Sequence, residues 1–117
     1  MYSSKNEIEK IIQKILNKRS TWKLSPRRKN TLTLSLLGID EEEIFELIEK
    51  NLKWTDYFEG PEPDNHVPPI PGDIWKFGLI IENNELYIKF QDRPQPLDDI
   101  LWISIHSAEY PINYPYK

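Results

Sequence analysis

The chain is 117 residues long, contains no cysteine and carries a formal charge of -4 at pH 7. This length supports a single core and excludes a second domain, so residues 1–117 are read as one domain; the absence of cysteine excludes disulfides and thiolate metal sites, and two histidines among scattered carboxylates give no zinc-like spacing. No apolar run reaches the roughly 18 residues of a membrane helix, and the charged N-terminus lacks a signal peptide's apolar region, so the expectation is a soluble, cytoplasmic protein with no cofactor and no metal.

Ser3 and Ser4 can cap a helix over about residues 4–18, in which Ile8, Ile11, Ile12, Ile15 and Leu16 form one apolar stripe opposite Lys10, Lys14 and Lys18. Thr21–Leu24 is extended and suits a short edge strand. Ser25-Pro26 places a capping serine before a proline at the first helical position, and Gly38 supplies a C-terminal stop. Between them Thr31–Leu36 alternates as a strand would; the end signals favour a helix. Asp40 and Glu43 form a capping box that opens a third helix, with Ile44, Phe45, Leu47, Ile48 and Leu52 on its apolar side. Glu41–Glu43 fit the positive end of its dipole better than a metal or catalytic cluster. Trp54–Phe58 reads as a short turn. Gly60–Gly72 carries five prolines and forms a stiff connection, either a passive crossover or the border of a site, with His66 read as a surface histidine.

Ile74–Ile81 and Leu86–Phe90 are β-branched and aromatic runs joined by Glu82–Glu85, which predicts a hairpin. Ile100–His106 follows a proline-containing linker and is expected to pair beside the second strand. Strict alternation puts Leu86, Ile88, Phe90, Leu101, Ile103 and Ile105 on an oily face and Tyr87, Lys89, Trp102, Ser104 and His106 on a polar one. The predicted class is α+β, with N-terminal helices packed on one face of a small antiparallel sheet of about three strands. The rings of Tyr110–Tyr116 are expected to clamp the tail onto the body.

The polar face holds groups for moving protons and holding an anion. Cleavage of RNA through its own 2′-hydroxyl needs a base, an acid and cations for the charge on phosphorus. His106 can act as acid or base near neutrality; Lys89 and Lys76 can neutralise phosphate, with Arg93 as a further contact, and Tyr87 can orient it or donate a proton. Glu109 is a candidate base if the tail folds back, and Trp102, Tyr110 and Tyr114 offer flat surfaces for unpaired bases. Packing is the plainer role for Trp75 and Trp102.

Several strings, in this order, resemble the MqsR-type toxins of bacterial toxin–antitoxin systems: Leu37-Gly38-Ile39-Asp40, Thr55-Asp56-Tyr57-Phe58, Asp73-Ile74-Trp75, Leu86-Tyr87-Ile88-Lys89 and Ile103-Ser104-Ile105-His106. Gly60–Asp64 and Ala108–Pro111 resemble one branch of that family. The resemblance covers about residues 21–117 and implies a RelE-like fold, metal-independent mRNA cleavage and restraint by a cognate antitoxin encoded nearby, of helix-turn-helix type and in some cases zinc-containing. Tyr87 and Lys89 fall on the family's Tyr-x-Lys strand. Lys76 stands where the founding type has glutamine, and His106 and Glu59 stand where it has lysines, which makes a less cationic site.

The charge distribution adds a further reading. Residues 1–30 hold nine Lys/Arg against Glu7 and Glu9, while the rest holds six against seventeen acidic residues. A basic end on an acidic body can attract phosphate locally. Three functions follow: an mRNA-cleaving endoribonuclease using Tyr87, Lys89 and His106; a non-catalytic protein- or RNA-binding module on the same fold; and a nucleic-acid-binding regulator using the cluster from Lys18 to Lys29. The first is the expectation carried forward.

Overall fold

A computed structural model describes all 117 residues. Helix α1 (Lys5–Asn17) opens on a capping box between Ser4 and Glu7, and α3 (Glu41–Asn51) on one between Asp40 and Glu43. Between them lie strand β1 (Trp22–Leu24) and helix α2 (Arg28–Leu37), which Gly38 ends in the left-handed conformation at φ 70°. Helical end signals therefore prevail over the alternation of Thr31–Leu36. The predicted Ser25-Pro26 cap is two residues early, because Ser25 still belongs to the sheet. Its N–H donates to the Trp102 carbonyl at 2.9 Å, and its carbonyl accepts from Asn30 Nδ2 at 3.0 Å.

The sheet has five strands, not about three, and is mixed. Strands β2 (Tyr57–Glu62), β3 (Asp73–Ile81), β4 (Asn84–Arg93) and β5 (Asp99–Ser107) pair antiparallel, β1 lies parallel to β5, and the order is β1-β5-β4-β3-β2. Both strands beyond the predicted hairpin and third strand are edges: β1 is the short edge strand that Thr21–Leu24 suits, whereas β2 forms where the sequence suggests a turn and a stiff connection. β1 has three residues, and β2 contains Gly60-Pro61 where its pairing with β3 shifts register, a place where a proline without an N–H is tolerated. The β3–β4 hairpin turns through Glu82 and Asn83, both at positive φ, as a tight two-residue connection requires.

Helices α1 and α3 cover one sheet face. Ile8, Ile11, Ile15, Ile44, Phe45 and Ile48 meet an aromatic row running across the strands, in which Trp22, Trp102, Phe90, Phe77 and Tyr57 touch in sequence at centroid separations of 4.7, 5.1, 5.8 and 5.9 Å. Each such side chain contributes about 1.5–3 kcal/mol by leaving water. Trp102 corrects the alternation rule. Lys89 pairs with Ser104, but Phe90 pairs with Trp102, so Ile103 is the extra residue of a bulge. Beyond the bulge the faces exchange: Trp102 is fully buried beside Phe90, while Ser104 and His106 stay on the opposite face.

Helix α2 guards the edge of β5 that β1 leaves uncovered. Asn30, 1% exposed, donates to the Ile103 carbonyl at 3.0 Å and accepts from the Ile105 N–H at 2.8 Å, and Thr33 Oγ1 accepts from the Ser107 N–H at 3.1 Å. Side chains thus occupy backbone groups that would otherwise offer a template to another strand.

The second sheet face is partly roofed. At one end Gln91 donates to the carbonyls of Ile70 and Gly72 at 3.1 and 3.0 Å, which fastens the proline-rich crossover. At the other the aromatic tail lies across Gly78, where a Cβ would collide with the Tyr114 hydroxyl and Ile112. Tyr114 donates to Glu85 at 3.0 Å, Tyr116 donates to the Ser3 carbonyl at 2.6 Å, and the Tyr116 ring packs on Trp54 at 5.2 Å. The tail is clamped as its rings suggest, except for Tyr110, which is 80% exposed.

Candidate active site

Between the two roofs a groove of about 560 Å³ is open. Tyr87 and Lys89 from β4 and Ser104 and His106 from β5 form its floor, Arg27 and Lys29 at the start of α2 form one wall, and Phe58 and Glu59 of β2 and tail residues 108–113 close the others. Cross-strand register sets the floor: Tyr87 faces His106 and Lys89 faces Ser104, so Lys89 and His106 are diagonal neighbours, about 7 Å apart by ordinary sheet geometry.

The Tyr87 and His106 rings stack at 5.3 Å and 12°. His106 Nδ1 lies 3.0 Å from the Ser107 carbonyl, which can only accept, so Nδ1 carries the hydrogen and Nε2 is left for proton exchange. Burial raises the Tyr87 phenol above its ordinary pKa, with Glu59 and Glu62 adding to the effect against Lys76. Tyr87 is therefore a neutral hydrogen-bond donor across the physiological range.

The cations differ in how they are held. Lys76 bridges Glu59 at 2.5 Å and Glu62 at 2.8 Å. Burial alone would depress its ammonium, but these hydrogen bonds outweigh burial and keep its pKa above the usual lysine value. Lys29 is ion-paired with Glu109, and its hydrogen bond holds that carboxyl below the usual range. Arg27 donates to Ser104 Oγ at 3.0 Å and has no carboxylate partner. Lys89 has none either; burial lowers its pKa first, then repulsion from Lys76 and Arg27. An unpaired, half-desolvated ammonium beside a guanidinium makes an anion site.

Five predicted residues, His106, Tyr87, Lys89, Glu109 and Tyr110, line this one groove. Lys76 stands next to it behind Glu59. Two lie elsewhere: Trp102 is in the core on the opposite face, and Arg93 makes a forked pair with buried Asp99 at 2.7 and 2.8 Å. Tyr114 is tied down by Glu85 under the tail and does not serve as an open platform. Sequence reasoning missed Arg27 and Lys29 as groove residues; the Arg27-Arg28-Lys29 run was visible, but only as charge. His66 is held by Asp64, as a surface loop histidine would be. No group of three or more His, Cys, Asp or Glu side chains is arranged to hold a metal ion, and no helix is long and apolar enough to cross a membrane.

Compared with family models, with characterised proteins and with solved structures, the chain shows no significant match.

Proposed function

We propose that the chain is an mRNA-cleaving endoribonuclease, the RelE-like toxin of a type II toxin–antitoxin system, acting in the cytoplasm on single-stranded RNA and restrained by a cognate antitoxin. The observation that carries this reading is the meeting, in one groove, of a histidine with a free Nε2, a stacked neutral tyrosine, and the cations Lys89 and Arg27 without carboxylate partners. The family resemblance of the strings around Tyr87, Lys89 and His106 supports the same reading.

In the proposed reaction a phosphodiester sits over Ser104, between Lys89 and His106. His106 Nε2 takes the 2′-hydroxyl proton as that oxygen attacks phosphorus, and the bond from phosphorus to the 5′-oxygen breaks. The departing oxygen takes a proton from the Lys89 ammonium, whose lowered pKa suits it to give one up. Arg27 and the Tyr87 hydroxyl stabilise the non-bridging oxygens. The products are a 2′,3′-cyclic phosphate and a 5′-hydroxyl, and these side chains alone complete the proton balance.

A second reading, a non-catalytic binding module, is favoured by the carboxylates of Glu59, Glu62 and Glu109, which compensate Lys76 and Lys29 and weaken the cationic field. Cleavage assays on a defined single-stranded RNA, with ribosomes absent and present, separate the two. His106→Ala and Lys89→Ala are each expected to slow cleavage roughly a hundredfold or more while folding normally. A folded His106→Ala protein that cleaves at the wild-type rate removes that residue from the mechanism, and absence of cleavage by wild type in both settings favours the binding module.

A further inference from the structure

A second, smaller groove of about 240 Å³ lies on the other side of the Lys29–Glu109 ion pair. It shares Lys29, His106 and Glu109 with the first groove. Its own wall is apolar: Leu32 and Leu36, one helical turn apart on α2, are 54% and 67% exposed, although the helix is fixed to β5 through buried Asn30 and through Thr33, which also lines the groove. Two leucines bare to water beside a proton-exchanging histidine are not needed by the fold, whose core they do not join.

Because the reacting phosphate is placed at His106, a strand lying in the first groove must continue past that residue. The second groove is where the shared residues lead. We propose that it is a nucleobase subsite, holding the base of the nucleotide next to the scissile phosphate on the α2 side, with Leu32 and Leu36 against the ring face and Lys29 and Glu109 at its polar edge. This inference rests on the RNA reading of the first groove. Both partners of the Lys29–Glu109 pair are more than half exposed, so a base can part them at little cost. A small concavity with a narrow apolar wall suits one flat ring rather than a partner helix, and its continuity with a cationic groove suits a nucleic acid strand.

The test uses the full chain, isotopically labelled, titrated with hexameric oligoadenylate and oligouridylate carrying 2′-O-methyl groups so that they cannot be cleaved. Amide shifts are expected both at Tyr87, Lys89 and His106 and at Leu32, Thr33 and Leu36. Leu32→Ser/Leu36→Ser is expected to weaken binding about tenfold, the scale of losing one base's apolar contact. Shifts confined to the first groove, with the double variant binding as wild type does, overturn the subsite and leave the RNA reading standing. Shifts nowhere overturn both. The shift map is read on wild type, so it decides the matter even if the variant folds poorly.

Discussion

In the proposed site, Lys89 sets activity against stability. Its ammonium is half-buried, lacks a carboxylate and faces Lys76 directly across the strands, a like-charge pairing that costs stability. A lysine whose pKa falls on folding destabilises the folded state. That cost is full at neutral pH, where both states carry the proton, and it disappears as pH rises through the window between the lowered value and the ordinary lysine value. Lys89→Met is accordingly expected to raise the thermal midpoint at pH 7, and to raise it less at alkaline pH, while abolishing cleavage; paired melting curves and rates check this. Two of the three buried tryptophans give a second contrast. Trp22 donates its indole N–H to the Ile15 carbonyl at 2.8 Å, whereas the Trp102 indole N–H has no partner. Trp22→Phe is expected to cost about 1–3 kcal/mol more than Trp102→Phe in urea unfolding, since only the first loses a satisfied buried hydrogen bond. Tyr87, Lys89 and His106 could be read from sequence because alternation holds around them. Trp102 could not, because one inserted residue, Ile103, exchanges the faces, and a bulge leaves no mark in composition.

Among the elements, α2 is the one whose role was least visible in sequence. It replaces a strand along the edge of β5, and buried Asn30 carries that substitution through two hydrogen bonds to β5 and a third to the Ser25 carbonyl. Asn30→Ala is expected to destabilise by about 2–4 kcal/mol, since buried backbone groups lose their partners; urea denaturation measures it. The helix itself was legible through Gly38, but its contact spans more than seventy residues of sequence, so neither Asn30 nor the arrival of Arg27 at Ser104 could be foreseen. The hairpin, the serine cap of α1 and the Asp40–Glu43 capping box are local and were legible. Of the edge strands, β1 was legible as a short extended edge, whereas β2 was not: a Gly-Pro pair carries little strand signal, and its partner decides it. The tail is coupled to the sheet at Gly78. Gly78→Ala is expected to cost about 1–3 kcal/mol by overpacking and to expose the segment after Ala108 to limited proteolysis.

For the whole molecule, the distribution of charge narrows the choice of function. The basic N-terminal quarter is largely neutralised by the acidic body: Lys14 meets Asp92, Lys18 meets Asp98, Arg19 meets Glu42 and Glu49, and Lys23 meets Asp99. A regulator binding duplex through this cluster would first have to break those pairs, whereas the groove keeps Arg27 and Lys89 without carboxylate partners. With two or three phosphate contacts, single-stranded RNA affinity is expected to fall with a log–log salt slope of about −1.4 to −2, at roughly −0.7 per contact, well short of the slope that a full basic cluster would give. The uneven charge was plain in sequence; its cancellation depends on pairings between distant segments and was not.

The central claim is that the groove drives attack by the RNA's own 2′-oxygen. The direct measurement is end-group analysis of a single-stranded RNA cut by wild type in EDTA, beside the same RNA with one 2′-deoxy sugar at the cut position. The expected result is a 2′,3′-cyclic phosphate and a 5′-hydroxyl from the first, with no cut at the deoxy position in the second. Products ending in a 3′-hydroxyl and a 5′-phosphate, or cleavage through the deoxy sugar, would contradict it.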